Sequence, residues 1–522
     1  MNKIKTDWNF KLFYKNDKDV QISKDIKSAS IEIDKFAKKY SKNKKHLDGG
    51  QSLLSALNDY EKISNQKELI KPFVYFLLRK DEDSSNGFVQ SKLNQVQEAY
   101  SKNMNKVIFF GLELGNIAQS KQKQILKDKK LEKFHYFLKR AFDNSKYNLQ
   151  EGEEKILNLM SQPSFDMWVN SVSKIVSQKE INFKNKEIPL TEATSMLVSE
   201  NYKNRRTLNS KINEKLSEVA DFAEAEINAV YTSKKIDDEL RGLIKPYSST
   251  VLQYENEEKT VENLVKIVTD NVKISKKFYR LKAKMLKQDK LAYCDRAASV
   301  GKISKSFDFD ETVKILQNSF RKINPKYEDI FNKFLDNGQI NVYPKKGKSG
   351  GAYCFGSIGN PTFVLLNHTN DLNSVTTLAH EMGHAFHTEL SSKQDPIYSE
   401  YTTSVAEVAS TFFENFVFEE LMQSLNKKEQ IVALHDKISG EISTIFRQIA
   451  CFNFENELHK NIREKGYLAK EEIAKLMNKN MKSYIGSIME FEESDGYQFI
   501  TWSHIRRFFY VYTYASGSLI SS

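Results

Sequence analysis

Apolar residues recur at three- and four-residue intervals across 50–80, 90–145, 205–245 and 258–290, and that spacing commits most of this chain to amphipathic helix. Only 8 prolines interrupt the 522 residues, so long helices meet few breaks. Asp81 to Gly87 reads as a loop after an apolar run. Two stretches leave the helical period. Ile181 to Leu190 alternates apolar and polar residues around Asn185-Lys186 and predicts a small hairpin. Thr191 then caps a helix that runs to Leu197. The main boundary is placed here, between an N-terminal helical domain, 1–190, and a second domain, 191–522. The second break runs from Gln339 to Asn367. Ile340 to Tyr343 and Phe363 to Leu366 predict strands, with Gly347, Gly350, Gly351, Gly356 and Gly359 between them. An edge of such a sheet can take up an extended peptide through main-chain hydrogen bonds, or it can be a plain structural ribbon. The predicted fold class is mainly α, with this small β-sheet directly ahead of the most informative helix.

Composition excludes several classes. The chain is 40% hydrophobic and 28% charged, as in ordinary globular proteins. Its net charge of +11 comes from lysines dispersed among acidic residues, without an aromatic-interleaved basic motif, so no nucleic-acid partner is expected. Cys294, Cys354 and Cys451 lie far apart without a CxxC pair, which fits a reducing compartment and a cytoplasmic location. The N-terminus lacks the apolar core of a secretory leader, and no run of about 18 apolar residues exists, so no membrane partner is expected.

The chemistry concentrates in His380-Glu381-Met382-Gly383-His384. On a helix beginning near Ser374 and capped by Asp371 or Asn373, two histidines four apart share one face and can grip one metal ion. Val375, Leu378, Ala379, Met382, Ala385 and Phe386 surround them and predict burial, so His380, Glu381 and His384 need internal partners. Gly383 costs a helix about 1 kcal/mol relative to alanine, and a close approach of another backbone or a substrate would explain it. Glu381 points toward a metal-bound water, where it can take a proton. From Ser404 to Leu421 a second helix carries Glu407, Ser410, Thr411 and Glu414 as one polar stripe on an otherwise buried surface. Glu407 would complete the ligand set and Glu414 would support it; a water-facing edge with an ordinary salt bridge is the alternative. His387 suits a packing or substrate-side role better than ligation. These residues predict one catalytic Zn²⁺ per chain and water-driven cleavage of an amide bond.

His380 to His387 and Ala406-Glu407-Val408-Ala409-Ser410-Thr411 together resemble the M3 family of zinc metallopeptidases, most closely its oligoendopeptidase F branch. Gly347 to Cys354 resembles that family's glycine-rich strand segment, which makes Gly350, Gly351, Ala352 and Tyr353 candidate substrate-binding residues. Phe446-Arg447-Gln448 and Phe454-Glu455 resemble its later helices, and Tyr75 to Arg79 and Phe109 to Leu114 echo its N-terminal half. The resemblance implies a two-lobed helical body with a deep channel, and oligopeptide substrates. It also implies a histidine and tyrosines near the C-terminus that stabilise the oxyanion. Their counterparts here are His504, Tyr510 and Tyr514. If 508–517 is helical, Tyr510 and Tyr514 share a face and Tyr512 does not; a strand would align all three. The family's last C-terminal helices are expected to be absent after Ser522. Oligomeric state is not fixed by the sequence. Three rival readings are open: a zinc peptidase removing C-terminal residues or dipeptides, a nonhydrolytic peptide-binding protein that retains the metal site, and a basic polyanion binder.

Overall fold

The structure is a computed structural model that describes residues 4–64, 66–357 and 359–521. Met1 to Lys3, part of the N-terminus read for a leader, lie outside the described residues, as does Ser522. Helices dominate, as the apolar spacing requires, but each long periodic stretch is divided. Residues 50–80 form Gly50–Ser64 and Lys67–Glu82, and 205–245 form Tyr202–Ser217 and Ala220–Leu240. Residues 258–290 form Glu258–Asp270 and Lys273–Met285. The 90–145 stretch breaks into Gly87–Asn105, Ile108–Gly115, Gln119–Ile125 and His135–Asn144. Periodicity reports which face is buried; short joints turn the axis without disturbing it, and only the stretch between Ile125 and His135, which holds the 3-10 turn Lys129–Phe134, is longer than three residues.

The hairpin forms where alternation places it. Strands β1 (Glu180–Phe183) and β2 (Lys186–Pro189) pair antiparallel, with Phe183 opposite Lys186. Lys184 and Asn185 both have positive φ, 53° and 63°, the left-handed pair that a tight two-residue hairpin turn requires. The expected Thr191 cap is corrected: the helix is Leu190–Met196, Pro189 stands in the cap position without a side-chain bond, and Thr191 is already in the first turn. A parallel pair, β3 (Leu291–Ala292) with β7 (Met489–Glu490), escapes sequence reading because two residues show no alternation. The third sheet has the order β4-β6-β5, from β4 (Ile340–Asn341), β5 (Tyr353–Phe355) and β6 (Phe363–Leu365). β4 runs parallel to β6 and β5 antiparallel, so β5 is an edge. The strand expected over Ile340 to Tyr343 stops at Asn341; the Val342 amide bonds the Thr6 carbonyl at 2.9 Å instead.

Contacts group the chain into two compact units built from separated segments. One comprises Met1–Leu159, Lys305–Tyr401 and Ala409–Ser424; the other comprises Met160–Ser304, Thr402–Val408 and Leu425–Ser522. The division at residue 190 stays a proposal drawn from chain order. In the first unit Trp8, Phe13, Tyr75 and Phe76 pack under Phe363 and Leu365 of β6. The Trp8 indole donates to the Val364 carbonyl at 2.9 Å, fastening the N-terminal segment to the sheet. In the second unit Leu208, Ile227, Tyr231, Phe454, Ile473, Tyr484 and Tyr512 share one core. Among the described residues no helix is long and apolar enough to cross a membrane.

Candidate active site

The motif helix is Leu372–Ser391. Asp371 caps it, accepting the Ser374 amide at 2.8 Å and the Ser374 hydroxyl at 2.7 Å. Val375, Leu378, Ala379, Met382, Ala385 and Phe386 are buried as the pattern predicts, and Glu381 is only 6% exposed. His380 and His384 are half-buried rather than enclosed, which leaves that face open to small molecules. Thr403–Gln423 is the second helix. A Cβ on Gly383 would lie 2.6 Å from Ser410 Cα and 2.8 Å from the Ala409 carbonyl oxygen. Glycine is therefore required by a backbone-to-backbone crossing, one of the two explanations the sequence offered. Gly517, on helix Tyr512–Ser521, meets Thr403–Gln423 in the same way, with a Cβ there 2.6 Å from Glu407 Cβ. The short run Ala515-Ser516-Gly517 is the only sequence signal for that crossing.

The crossing brings donors together. One ligand atom each from His380, His384 and Glu407 lies within 4.8 Å of the others, a group that fits a single metal ion. The two imidazole rings stand 5.0 Å apart and nearly perpendicular. His380 Nδ1 is 2.9 Å from Glu414 Oε2, which makes Nε2 the ring nitrogen that could serve a metal ion. The polar stripe faces inward, with Glu407 and Ser410 buried. The remainder of that helix corrects the sequence reading. Val405, Phe412 and Phe416, expected inside, are 49%, 38% and 41% exposed. A helix that must turn its carboxylates inward cannot also bury its opposite apolar face.

The glycine-rich segment runs into the edge strand β5. Asn367 Nδ2 donates to the carbonyls of Ser349 and Gly351, and Gly351 takes a φ of 76°. Gly350 and Gly351 are exposed, and Ala352 is half-buried. The Tyr353 hydroxyl donates to Asp81 at 2.7 Å. The Cys354 thiol is pushed far up by burial and then by the carboxylates of Glu381 and Glu389, which places it beside the motif helix. A Cβ on Gly356 would lie 2.4 Å from Thr388 Cγ2, so the end of β5 is pressed against that helix. The His387 ring lies flat on Tyr401, 3.7 Å between centroids, and burial lowers its pKa.

The C-terminal aromatic cluster is assembled by a turn. His504 stacks on Tyr510 at 5.3 Å and approaches Tyr514 at 5.7 Å. The Tyr510 and Tyr514 hydroxyls are 2.8 Å apart. Tyr512 points away and accepts from Asn256 at 2.9 Å, in the core. Neither a continuous helix nor a strand accounts for this: helix begins only at Tyr512, and Phe508 and Phe509 before it have φ of 43° and 62°. Burial and then Tyr514 drive the Tyr510 hydroxyl pKa upward, and the Glu407 carboxylate adds to the rise. Burial, then Arg447 and Arg507, push His504 down to about 4. The sequence marked Glu455 only as part of a family likeness and gave it no role; its carboxyl group accepts the Phe509 amide at 2.6 Å. Cys451, Glu455 and His459 stand four apart on helix Gln448–Lys465, the same kind of polar stripe that singled out Glu407.

Two histidines on one helix, a carboxylate on another and a buried glutamate beside the first histidine are a donor set that suits a metallopeptidase centre, here on a helical scaffold. Residues 195–521 match the pattern of Peptidase family M3, and 113–171 match that of Oligopeptidase F. The chain belongs to peptidase family M3. It is 26% identical over 490 residues to Oligopeptidase PepF of Bacillus subtilis (strain 168), covering 91% of this chain and 72% of that protein. It is 26% identical over 485 residues to Group B oligopeptidase PepB of Streptococcus agalactiae serotype III (strain NEM316), covering 90% and 80%. The fold is shared with the crystal structure of oligoendopeptidase-F from Enterococcus faecium: TM-score 0.70, 19% identity, 96% of this chain and 87% of that one. It is also shared with PZ peptidase A solved with an inhibitor: TM-score 0.74, 14% identity, 98% and 88%. The protein is thus a metallopeptidase that cleaves oligopeptides, and it works with a metal cofactor.

Proposed function

We propose that the cofactor is one Zn²⁺ held by His380, His384 and Glu407, and that the chain is an endopeptidase acting on short oligopeptides. The observation that carries this reading is the convergence of the three ligand atoms within 4.8 Å, beside Glu381. Two imidazoles and one carboxylate leave a fourth tetrahedral position open, the donor set of a catalytic zinc rather than a structural one. Bound there, zinc supplies a Lewis acid that polarises the scissile carbonyl and acidifies a water. Glu381 takes the proton of the attacking water and returns it to the departing amine. Glu414 holds the His380 ring through Nδ1. Tyr510 stays protonated because burial raises its pKa, so its hydroxyl donates to the tetrahedral oxyanion. His504, depressed to about 4, is neutral at physiological pH and serves as a second donor rather than a cation. Tyr514 orients the Tyr510 hydroxyl. Gly350, Gly351, Ala352 and Tyr353 lead into the β5 edge, along which an extended peptide adds as a strand. His387 packs on Tyr401 and keeps that end of the motif helix in place.

The test is Glu381→Gln, measured by zinc quantitation and by mass-spectrometric mapping of end-blocked and free-ended peptides. The wild-type chain carries one zinc and cuts blocked peptides internally. The variant keeps its zinc and loses roughly a thousandfold in turnover, within the usual range for a general base. Normal cleavage by the variant overturns the role of Glu381. Release of C-terminal dipeptides or single residues only overturns the endopeptidase assignment.

A further inference from the structure

A cavity of about 310 Å³ lies within the first unit, and none of His380, Glu381, His384 or Glu407 lines it. Tyr60 enters its wall from Gly50–Ser64, Tyr100 and Met104 from Gly87–Asn105, and Phe137 from His135–Asn144. Ile397 and Glu400 come from the segment that follows the motif helix. Glu400 is exposed, so the cavity is open to solvent there. It is also the one charged residue in the described wall, in a chain whose net charge is +11. Glu400 has no ion pair among the described residues. Lys133, which reaches the same segment, is taken by Glu61 at 2.7 Å and Asp395 at 3.2 Å. The Tyr60 and Tyr100 rings are half-buried, and neither hydroxyl makes a hydrogen bond among the described residues. Burial and then the Glu400 carboxylate raise the pKa of Tyr100; burial and then Tyr100 raise that of Tyr60.

Cavities of roughly 300–1,000 Å³ hold small ligands through apolar walls and a few polar groups that fix orientation. Three aromatic residues and one unpaired carboxylate favour a cation over a neutral or anionic guest. An inorganic ion would leave the apolar wall unused and would lose its water against it. The guest that uses both parts is an apolar body bearing one ammonium group, whose N–H groups find acceptors in Glu400 and the two phenols. Ser357, two residues past the edge strand β5, also lines the cavity. A peptide added along that edge is therefore led toward it.

We propose that this cavity binds an apolar ammonium, with the positive group at Glu400 and the body among Tyr60, Tyr100, Met104 and Phe137. Two sources offer that chemistry: a free hydrophobic amine, and the N-terminal residue of an oligopeptide. Only the second rests on the peptidase reading above. The full chain is titrated calorimetrically with phenethylamine, 2-phenylethanol and 3-phenylpropionate, which share a ring and differ in charge. Phenethylamine binds about tenfold tighter than the alcohol, and the carboxylate binds more weakly than either. Glu400→Gln, an exposed change, brings the amine to the affinity of the alcohol. Met104→Trp fills the cavity and weakens both; should it not fold, Ile397→Trp does the same from the loop. An amine no tighter than the alcohol, or an affinity that the filling variant leaves unchanged, overturns the site. A phenylalanine-led peptide and its N-acetyl form then compete with phenethylamine on the Glu381→Gln chain. Displacement by the free peptide alone assigns the cavity to a peptide N-terminus, and displacement by neither assigns it to free amines. Displacement by both shows that charge is not recognised and overturns the proposal. The small-molecule affinities need no hydrolysis, so failure of the peptidase reading leaves them unchanged.

Discussion

The Glu455 carboxylate accepts the backbone N–H of Phe509 at 2.6 Å, deep in the core of the second unit. That bond holds an unfavourable turn. Phe508 and Phe509 both adopt left-handed φ, a conformation that bulky side chains resist and that persists only when its surroundings fix it. The Thr250 hydroxyl clamps the preceding carbonyl, Phe508 O, at 2.8 Å. The turn they hold sets Tyr510 against His504 and within the field of Glu407.

Glu455→Ala leaves the Phe509 amide buried and unpaired, at a cost of about 1–3 kcal/mol. With the turn released, kcat falls roughly tenfold or more while zinc content and KM change little, because the lost interaction belongs to the transition state. Glu455→Gln keeps an acceptor oxygen and retains most activity. Steady-state kinetics with zinc quantitation on both variants checks this.

Burial pushes Glu455 from its ordinary 4.5 up to about 8, so the folded chain holds a proton that the unfolded chain releases. Between those two values the unfolded state binds fewer protons, and the contribution of this group makes stability fall as pH rises. Glu455→Gln removes the titration. Its thermal stability relative to wild type therefore improves steadily from about pH 5 to about pH 8, a trend measured by thermal denaturation across that window.

Gly383→Ala places a methyl group where the Ser410 and Ala409 backbone already lies, 2.6 Å and 2.8 Å from the new Cβ. Two helix backbones cannot yield as a flexible side chain can, so the helices separate at a cost of about 1–3 kcal/mol. Because the same crossing gathers the proposed metal ligands, affinity for the proposed zinc is expected to fall along with stability. Competition with a chelator and a melting curve, taken on the same preparation, read both losses.

Glu414→Ala removes the partner of His380 Nδ1 without touching a ligand atom. The imidazole loses its fixed orientation and some basicity, and zinc affinity falls about 10–100-fold. Activity returns when zinc is added in excess, which distinguishes this variant from Glu381→Gln. Zinc titration of activity gives the comparison.

Much of the candidate site's layout was legible from local spacing. His380, Glu381 and His384 share a motif whose spacing already fixes a common face, and the Glu407-to-Glu414 stripe marks a second helix by the same local rule. The Lys184–Asn185 hairpin was legible because alternation and turn chemistry are also local. The β3–β7 pair was not, since its strands lie 198 positions apart from Leu291 to Met489 and are two residues long. The outward exposure of Phe412 and Phe416 was not legible either, because hydrophobicity names a buried face only when nothing else competes for it.

The sequence by itself determined which segments are helical and which side chains can serve as ligands and base, because side-chain direction along a helix depends only on a residue's near neighbours. Tertiary structure decided which of those faces meet. Gly383 became a contact only against Ala409 and Ser410, Gly517 only against Glu407, and Glu455 became an anchor only for Phe509. Those pairings depend on excluded volume and buried hydrogen bonds between distant segments, which no local period encodes.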